Sequence, residues 1–156
     1  MLPEGAEAPD FTLPDQNGDP VTLSDLRGAP VVLYFYPRAD TPGCTAQACG
    51  VRDHADAYEA ARVTVMGVSP DPPGAVARFA EKYSLRFPLL ADEDHAVAEA
   101  YGVWGEKRMY GKTYWGVSRS TFIIDSEGRI AKVMPQVSPE THDDEVLSAL
   151  ATSGTS

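Results

Sequence analysis

The 156 residues predict an α/β fold: a central mixed β-sheet with helices on both faces and an N-terminal β-hairpin. Three observations lead there. Residues 31–36, Val-Val-Leu-Tyr-Phe-Tyr, form a near-continuous apolar run of β-branched and aromatic residues, the pattern of a central strand covered on both faces. Strand-like and helix-like segments then alternate, and a closing hairpin and helix follow. Near the start, Asn17-Gly18 sits between two short β-prone runs, which marks a hairpin turn. The length suits one domain over 1–156, with 152–156 expected to fray. No internal repeat, low-complexity block or linker interrupts it.

Each element has a local reason. Phe11-Thr12-Leu13 and Val21-Thr22-Leu23 flank the Asn17-Gly18 turn, and Ser24 is placed to cap a short turn ending at Gly28. After the strand at 31–36, a helix is expected from Pro42 to about residue 60, because proline suits the first helical position and Thr41 the cap before it. On its wheel Ala48, Val51, Ala55 and Tyr58 lie within about 40° of Cys44. Cys49 is turned about 140° away, on the side of Asp53 and Asp56. Residues 63–69 form the next strand. Pro70-Asp71-Pro72 stops it and opens a helix through Tyr83, with Val76, Phe79, Ala80 and Tyr83 on one side. A short strand at 87–91 and a short helix at 94–101, ending at Gly102, come next. The stretch 103–117 reads as an irregular hairpin whose Trp104, Tyr110, Tyr114 and Trp115 serve packing. Residues 119–124 and 130–133 flank Ser126-Glu127-Gly128 as a second hairpin, and 139–151 make the last helix. His95 and His142 read as solvated residues or neighbours of helix caps.

Charge narrows the function. A formal net charge of −10 suits neither a phosphate backbone nor an anionic membrane, so nucleic acid and lipid are not expected partners. The longest apolar run is too short to cross a bilayer. The first residues have neither the basic region nor the apolar run of a signal peptide. A cytoplasmic protein is expected, and there two cysteines are more often catalytic or redox-sensing than structural.

Both cysteines lie in the stretch that leads from the strand at 31–36 into the helix at Pro42. Cys44 falls in the first helical turn, where backbone N–H groups are unpaired and the dipole favours an anion. A thiol there is expected to ionise more readily than a free one, whose pKa is about 8.5. The Thr41 hydroxyl and the N–H groups of Gly43 and Cys44 can address the space in front of the sulfur. Pro37 can shield it. Such a thiolate suits a small oxidant such as a peroxide, whose oxygens need donors while the O–O bond breaks. The missing cation is assigned to Arg119, which opens an otherwise apolar strand where an arginine is costly unless paired. Cys44, Cys49 and His54 fall on different helix faces without a fourth ligand, so zinc is not expected, and peroxide chemistry at a thiolate requires neither a metal nor a cofactor.

Pro37-x-x-x-Thr41-x-x-Cys44 resembles the active-site motif of peroxiredoxins. The wider run through Thr45-Ala46-Gln47-Ala48-Cys49 is similar to the bacterioferritin-comigratory-protein, or Q-type, branch. So are Asp92-Glu93-Asp94-His95, Tyr101-Gly102-Val103-Trp104-Gly105-Glu106-Lys107, Gly111-Lys112-Thr113-Tyr114 and Arg119-Ser120-Thr121-Phe122-Ile123-Ile124-Asp125. The resemblance implies a thioredoxin-like fold and a thiol peroxidase acting on hydrogen peroxide and organic hydroperoxides. It makes Cys44 the peroxidatic cysteine, Cys49 the resolving one, Thr41 and Arg119 the peroxide-orienting pair and Pro37 the shield. It also implies a thioredoxin-like reductant and a monomer. Five residues along an ideal helix separate Cα atoms by roughly 8–9 Å, and a disulfide needs less than about 7 Å. The helix around Cys49 is therefore expected to open whenever the pair joins. A thiol–disulfide oxidoreductase acting on protein disulfides is the alternative, disfavoured because four residues rather than two separate the cysteines.

Overall fold

The computed structural model describes residues 1–135, 137–139 and 141–153. Of the tail expected to fray, Thr152 and Ser153 end the last helix, and 154–156 lie outside the described residues. The chain begins with the expected hairpin, β1 (Thr12–Pro14) and β2 (Pro20–Thr22), followed by a 3-10 turn at Leu23–Leu26. Ser24 does not cap that turn. It lies inside it, and its N–H is taken by the Asp10 carboxylate at 2.8 Å.

The main sheet has the order β5-β4-β3-β8-β9, with β3 (Val31–Phe35) at its centre. β3 runs parallel to β4 (Thr64–Ser69) and antiparallel to β8 (Ser120–Ile124). β4 runs parallel to β5 (Leu89–Ala91), and β8 antiparallel to β9 (Ile130–Met134). The sheet is thus mixed, as the sequence predicts. β5 is shorter than expected because the Gln16 side chain replaces a strand partner at its start. The Gln16 amide donates to the Phe87 carbonyl at 2.8 Å and accepts from Leu89 N–H at 2.9 Å.

Alternation along β3 divides the core in two. Val32 and Tyr34, with Tyr36 just beyond the strand, face α1 (Pro42–Asp53), α2 (Ala55–Ala60), α3 (Pro73–Tyr83) and α5 (His142–Ser153). Val31, Leu33 and Phe35 face α4 (Ala96–Ala100) and the N-terminal segment, where Tyr101 donates its hydroxyl to the Pro9 carbonyl at 2.8 Å. Helices therefore cover both faces, unequally.

Four expectations need correction. The helix from Pro42 is not continuous to residue 60. It breaks at His54 (φ −101°, ψ 14°), whose backbone N–H and ring Nδ1 both reach the Gly50 carbonyl, at 3.0 and 2.8 Å. The break resets the wheel, so Tyr58 remains buried while Ala55 is exposed. The stretch 103–117 is a regular hairpin. β6 (Trp104–Met109) and β7 (Lys112–Val117) pair over six residues each across a Tyr110-Gly111 loop with φ of 53° and 75°. Positive φ at both loop positions matches the twist of the strands. Packing describes Trp104, whose ring stacks on His95 at 3.9 Å. It does not describe the others, since Tyr110 is 96% exposed, Trp115 64% and Tyr114 41%. Finally, His95 does hold the N-cap position of α4 and His142 does open α5, but His142 is not solvated. It is fully buried, with Nε2 2.9 Å from the Thr121 hydroxyl oxygen.

Candidate active site

The loop between β3 and α1 is fixed before α1 begins. Asp40 adopts a left-handed φ of 58°, and its carboxylate accepts from Lys82 Nζ at 2.9 Å and from the Tyr83 hydroxyl at 2.8 Å. Ala39 N–H donates to Asp71 at 2.7 Å. These contacts tie the loop to α3 and the turn before it, and Pro37 lies half-buried within it. Thr41 occupies the N-cap position and Pro42 the first helical position, as expected. The Thr41 side chain does not cap the helix, however. Its hydroxyl donates to the Arg38 carbonyl at 2.9 Å, which leaves its oxygen as an acceptor.

The first intrahelical bond here is Thr45 N–H to the Thr41 carbonyl, at 2.8 Å. Gly43 and Cys44 thus carry N–H groups without an acceptor within the helix, the general condition of a first turn. Cys44 is 1% exposed and packs with Tyr34, Tyr36, Ala48 and Val51. One side of the sulfur meets charge. Arg119, from the residue before β8, donates from Nη2 to Cys44 Sγ at 3.2 Å and from Nη1 to Gln47 Oε1 at 2.5 Å. A hydrogen bond from a charged guanidinium is among the stronger and more directional kinds. A Cβ on Gly43 would lie 3.2 Å from Arg119 Nη2 and 3.5 Å from Pro139, so glycine leaves room for the guanidinium. The arginine's own backbone carbonyl accepts from Val137 N–H at 3.1 Å.

The structure therefore brings together Cys44, Arg119 and Gly43, with Thr41 and Pro37 on the loop that enters the same helix. It does not bring Cys49 to Cys44. Both are free thiols within an unbroken α1, and Cys49 is half-buried on another side. Among the described residues no three metal-ligating side chains cluster, and no helix is long and apolar enough to cross a membrane.

Three residues escape the sequence argument. Gln47 is fully buried and holds the second arm of the arginine fork. Lys107 donates from Nζ to the Val117 carbonyl, two residues from Arg119. Burial lowers its pKa and so does Arg119, while Cys44 acts in the other direction. His142, the third, has its pKa pushed down to about 4, first by burial and then by Arg119. Gln47 yields a direct prediction. Gln47→Leu keeps the volume but leaves a guanidinium N–H unpaired, a loss of about 1–3 kcal/mol. Cys44 should then oxidise roughly tenfold more slowly in stopped flow, and an unchanged rate would show that the fork needs no second arm.

A cysteine at the head of a helix, hydrogen-bonded by an arginine that immediately precedes the neighbouring strand of a thioredoxin-like sheet, suits a thiol peroxidase. Residues 5–133 match the model of the AhpC/TSA family. The chain is 52% identical over 149 residues to Peroxiredoxin Bcp of Escherichia coli K12, covering 96% of each. Among solved structures, Xylella fastidiosa PrxQ (a cysteine-to-serine mutant) superposes with a TM-score of 0.93 at 32% identity, covering 99% of this chain and 98% of that one. Mycobacterium tuberculosis BcpB superposes with a TM-score of 0.86 at 40% identity, covering 97% and 98%. The chain belongs to the AhpC/TSA family, in its branch of bacterioferritin comigratory protein and peroxiredoxin Q.

Proposed function

We propose that Cys44 is the peroxidatic cysteine and Cys49 the resolving one, in a cycle that reduces hydrogen peroxide and organic hydroperoxides. The observation that carries this reading is the Arg119 Nη2 donation to Cys44 Sγ, 3.2 Å, at the head of α1. The Cys44 thiolate attacks the terminal peroxide oxygen. The O–O bond breaks, the leaving oxygen takes a proton and departs as water or an alcohol, and Cys44 becomes a sulfenic acid. Arg119 and the N–H groups of Gly43 and Cys44 stabilise the charge moving onto oxygen. Thr41 accepts from the peroxide O–H, since its own proton is held by Arg38. Pro37 limits access to small oxidants. The Cys49 thiol then condenses with the sulfenic acid, releasing water and forming a disulfide, and a thioredoxin-like dithiol reduces it. A Xanthomonas campestris bacterioferritin comigratory protein that is 34% identical is described as having alkyl peroxide reduction activity, which supports the organic substrates. A monomer in the cytoplasm completes the reading.

The test is Cys49→Ser. This variant should oxidise once at the wild-type rate and then stall as a sulfenic acid, with no steady turnover on thioredoxin. Full thioredoxin-dependent turnover of Cys49→Ser would remove Cys49 from the cycle. Stopped-flow rates with hydrogen peroxide and a bulky alkyl hydroperoxide rank the substrates.

A further inference from the structure

For Cys49 to reach Cys44, the turn at 45–50 must leave its helical path, because an ideal helix holds the two Cα atoms roughly 8–9 Å apart and a disulfide spans less than about 7 Å. Whatever fastens that turn therefore sets how readily the disulfide closes. Arg119 holds Gln47 within the turn and Arg52 donates to the Tyr83 carbonyl at 2.7 Å, and a further side chain outside the helix fastens the stretch just beyond Cys49. Asp143, in the first turn of α5, is 5% exposed. Its Oδ1 accepts from the Tyr58 hydroxyl at 2.5 Å, and its Oδ2 lies 3.7 Å from His54 Nδ1. A Cβ on Gly50, the residue after Cys49, would overlap the same Oδ2. The carboxylate thus fills the space that any larger residue at position 50 would claim. Asp143 contacts α1 just beyond Cys49 and α2 at Tyr58, on either side of the break at His54.

We infer that Asp143 is a positioning residue for the resolving step, pinning the stretch from Gly50 to Tyr58 against α5 so that the Cys49 turn opens only when this contact is released. The inference rests on the reading of Cys49 as the resolving cysteine. Asp143 touches no reacting atom. It acts by stabilising the closed helix relative to the open one, which keeps Cys44 presented to peroxide and delays its capture by Cys49.

The experiment mixes reduced enzyme with excess hydrogen peroxide and follows two steps by rapid quench and mass spectrometry: formation of the sulfenic acid, which depends on peroxide concentration, and its conversion to the disulfide, which does not. Asp143→Ala should leave the first step within about twofold and speed the second by about fivefold or more. Tyr58→Phe, a milder change that keeps the carboxylate seated, should speed the second step less. Asp143→Asn, which still accepts from Tyr58, should stay nearest to wild type. Amide exchange across 45–52 in the reduced enzyme should quicken in the same order. A second step that is unchanged or slower in both Asp143→Ala and Tyr58→Phe overturns the inference, and so does equal slowing of both steps, the mark of general damage. If instead Cys49→Ser retains the second step, it is the assignment of Cys49 that fails.

Discussion

Cys44→Ser should consume no peroxide, and Arg119→Met should react about a hundred- to a thousandfold more slowly while folding normally. The first loss follows from chemistry, since a serine hydroxyl cannot accept the peroxide oxygen and pass it on. The second follows from position. Arg119 Nη2 is the charged donor on Cys44 Sγ, and removing one preorganised donor from a reacting centre costs about 2.7–4 kcal/mol of barrier. Methionine keeps an unbranched apolar stem like that of arginine, so the packing around the stem survives while both fork contacts vanish. Arg119→Lys should fall between the two, because a lysine keeps the charge but cannot serve Sγ and Gln47 at once. Second-order rates of Cys44 oxidation, read beside urea midpoints, check this. A variant that unfolds, or a fast rate in a folded Arg119→Met, would assign the arginine to structure rather than catalysis.

The parts of this molecule that were legible in the sequence are those decided within a few residues. The apolar run of β3 needs no partner to declare itself. The head of α1 is written locally, in Thr41-Pro42, and that was enough to place Cys44. Arg119 showed only as an anomaly, a charge at the mouth of an apolar strand, and family resemblance supplied its role. Gln47 left a signal that could have been used. It lies about 60° from Cys44 on the helical wheel, on the buried side with Ala48 and Val51, where an amide needs a partner. His142 left none. Its neighbours Thr141, Asp143, Asp144 and Glu145 form a hydrophilic run that reads as a solvated helix start. Its burial is decided instead by Thr121 of β8 and the ring of Tyr34, 21 and 108 positions away in sequence. The break at His54 is local only in part. What distinguishes the site is that its ring reaches the Gly50 carbonyl while Tyr58 binds Asp143.

Buried His142 should make the protein lose stability on mild acidification. Its pKa falls from an ordinary 6.5 to about 4 in the fold, because burial and the neighbouring Arg119 guanidinium both oppose a second positive charge. Between these values the unfolded chain holds a proton that the folded one does not. The contribution is therefore complete above about pH 6.5, declines as pH falls, and is gone below about pH 4, a loss of about 3 kcal/mol. Asp92 and Asp143 act with the opposite sign, since burial raises their carboxyl pKa values and the fold takes up protons there before the unfolded chain does. Their uptake offsets part of the loss at the acid end, while Asp10 and Asp40, whose carboxyl pKa values are lowered by their hydrogen bonds, add to it, so the total curve does not report the histidine alone. His142→Gln isolates it, keeping a polar group for Thr121 with nothing to titrate. Urea unfolding at pH 7.5, 5.5 and 4 should show wild type losing about 3 kcal/mol more than the variant across the range. Parallel curves would mean that His142 is protonated in the fold, and that the guanidinium at Cys44 tolerates a second cation beside it.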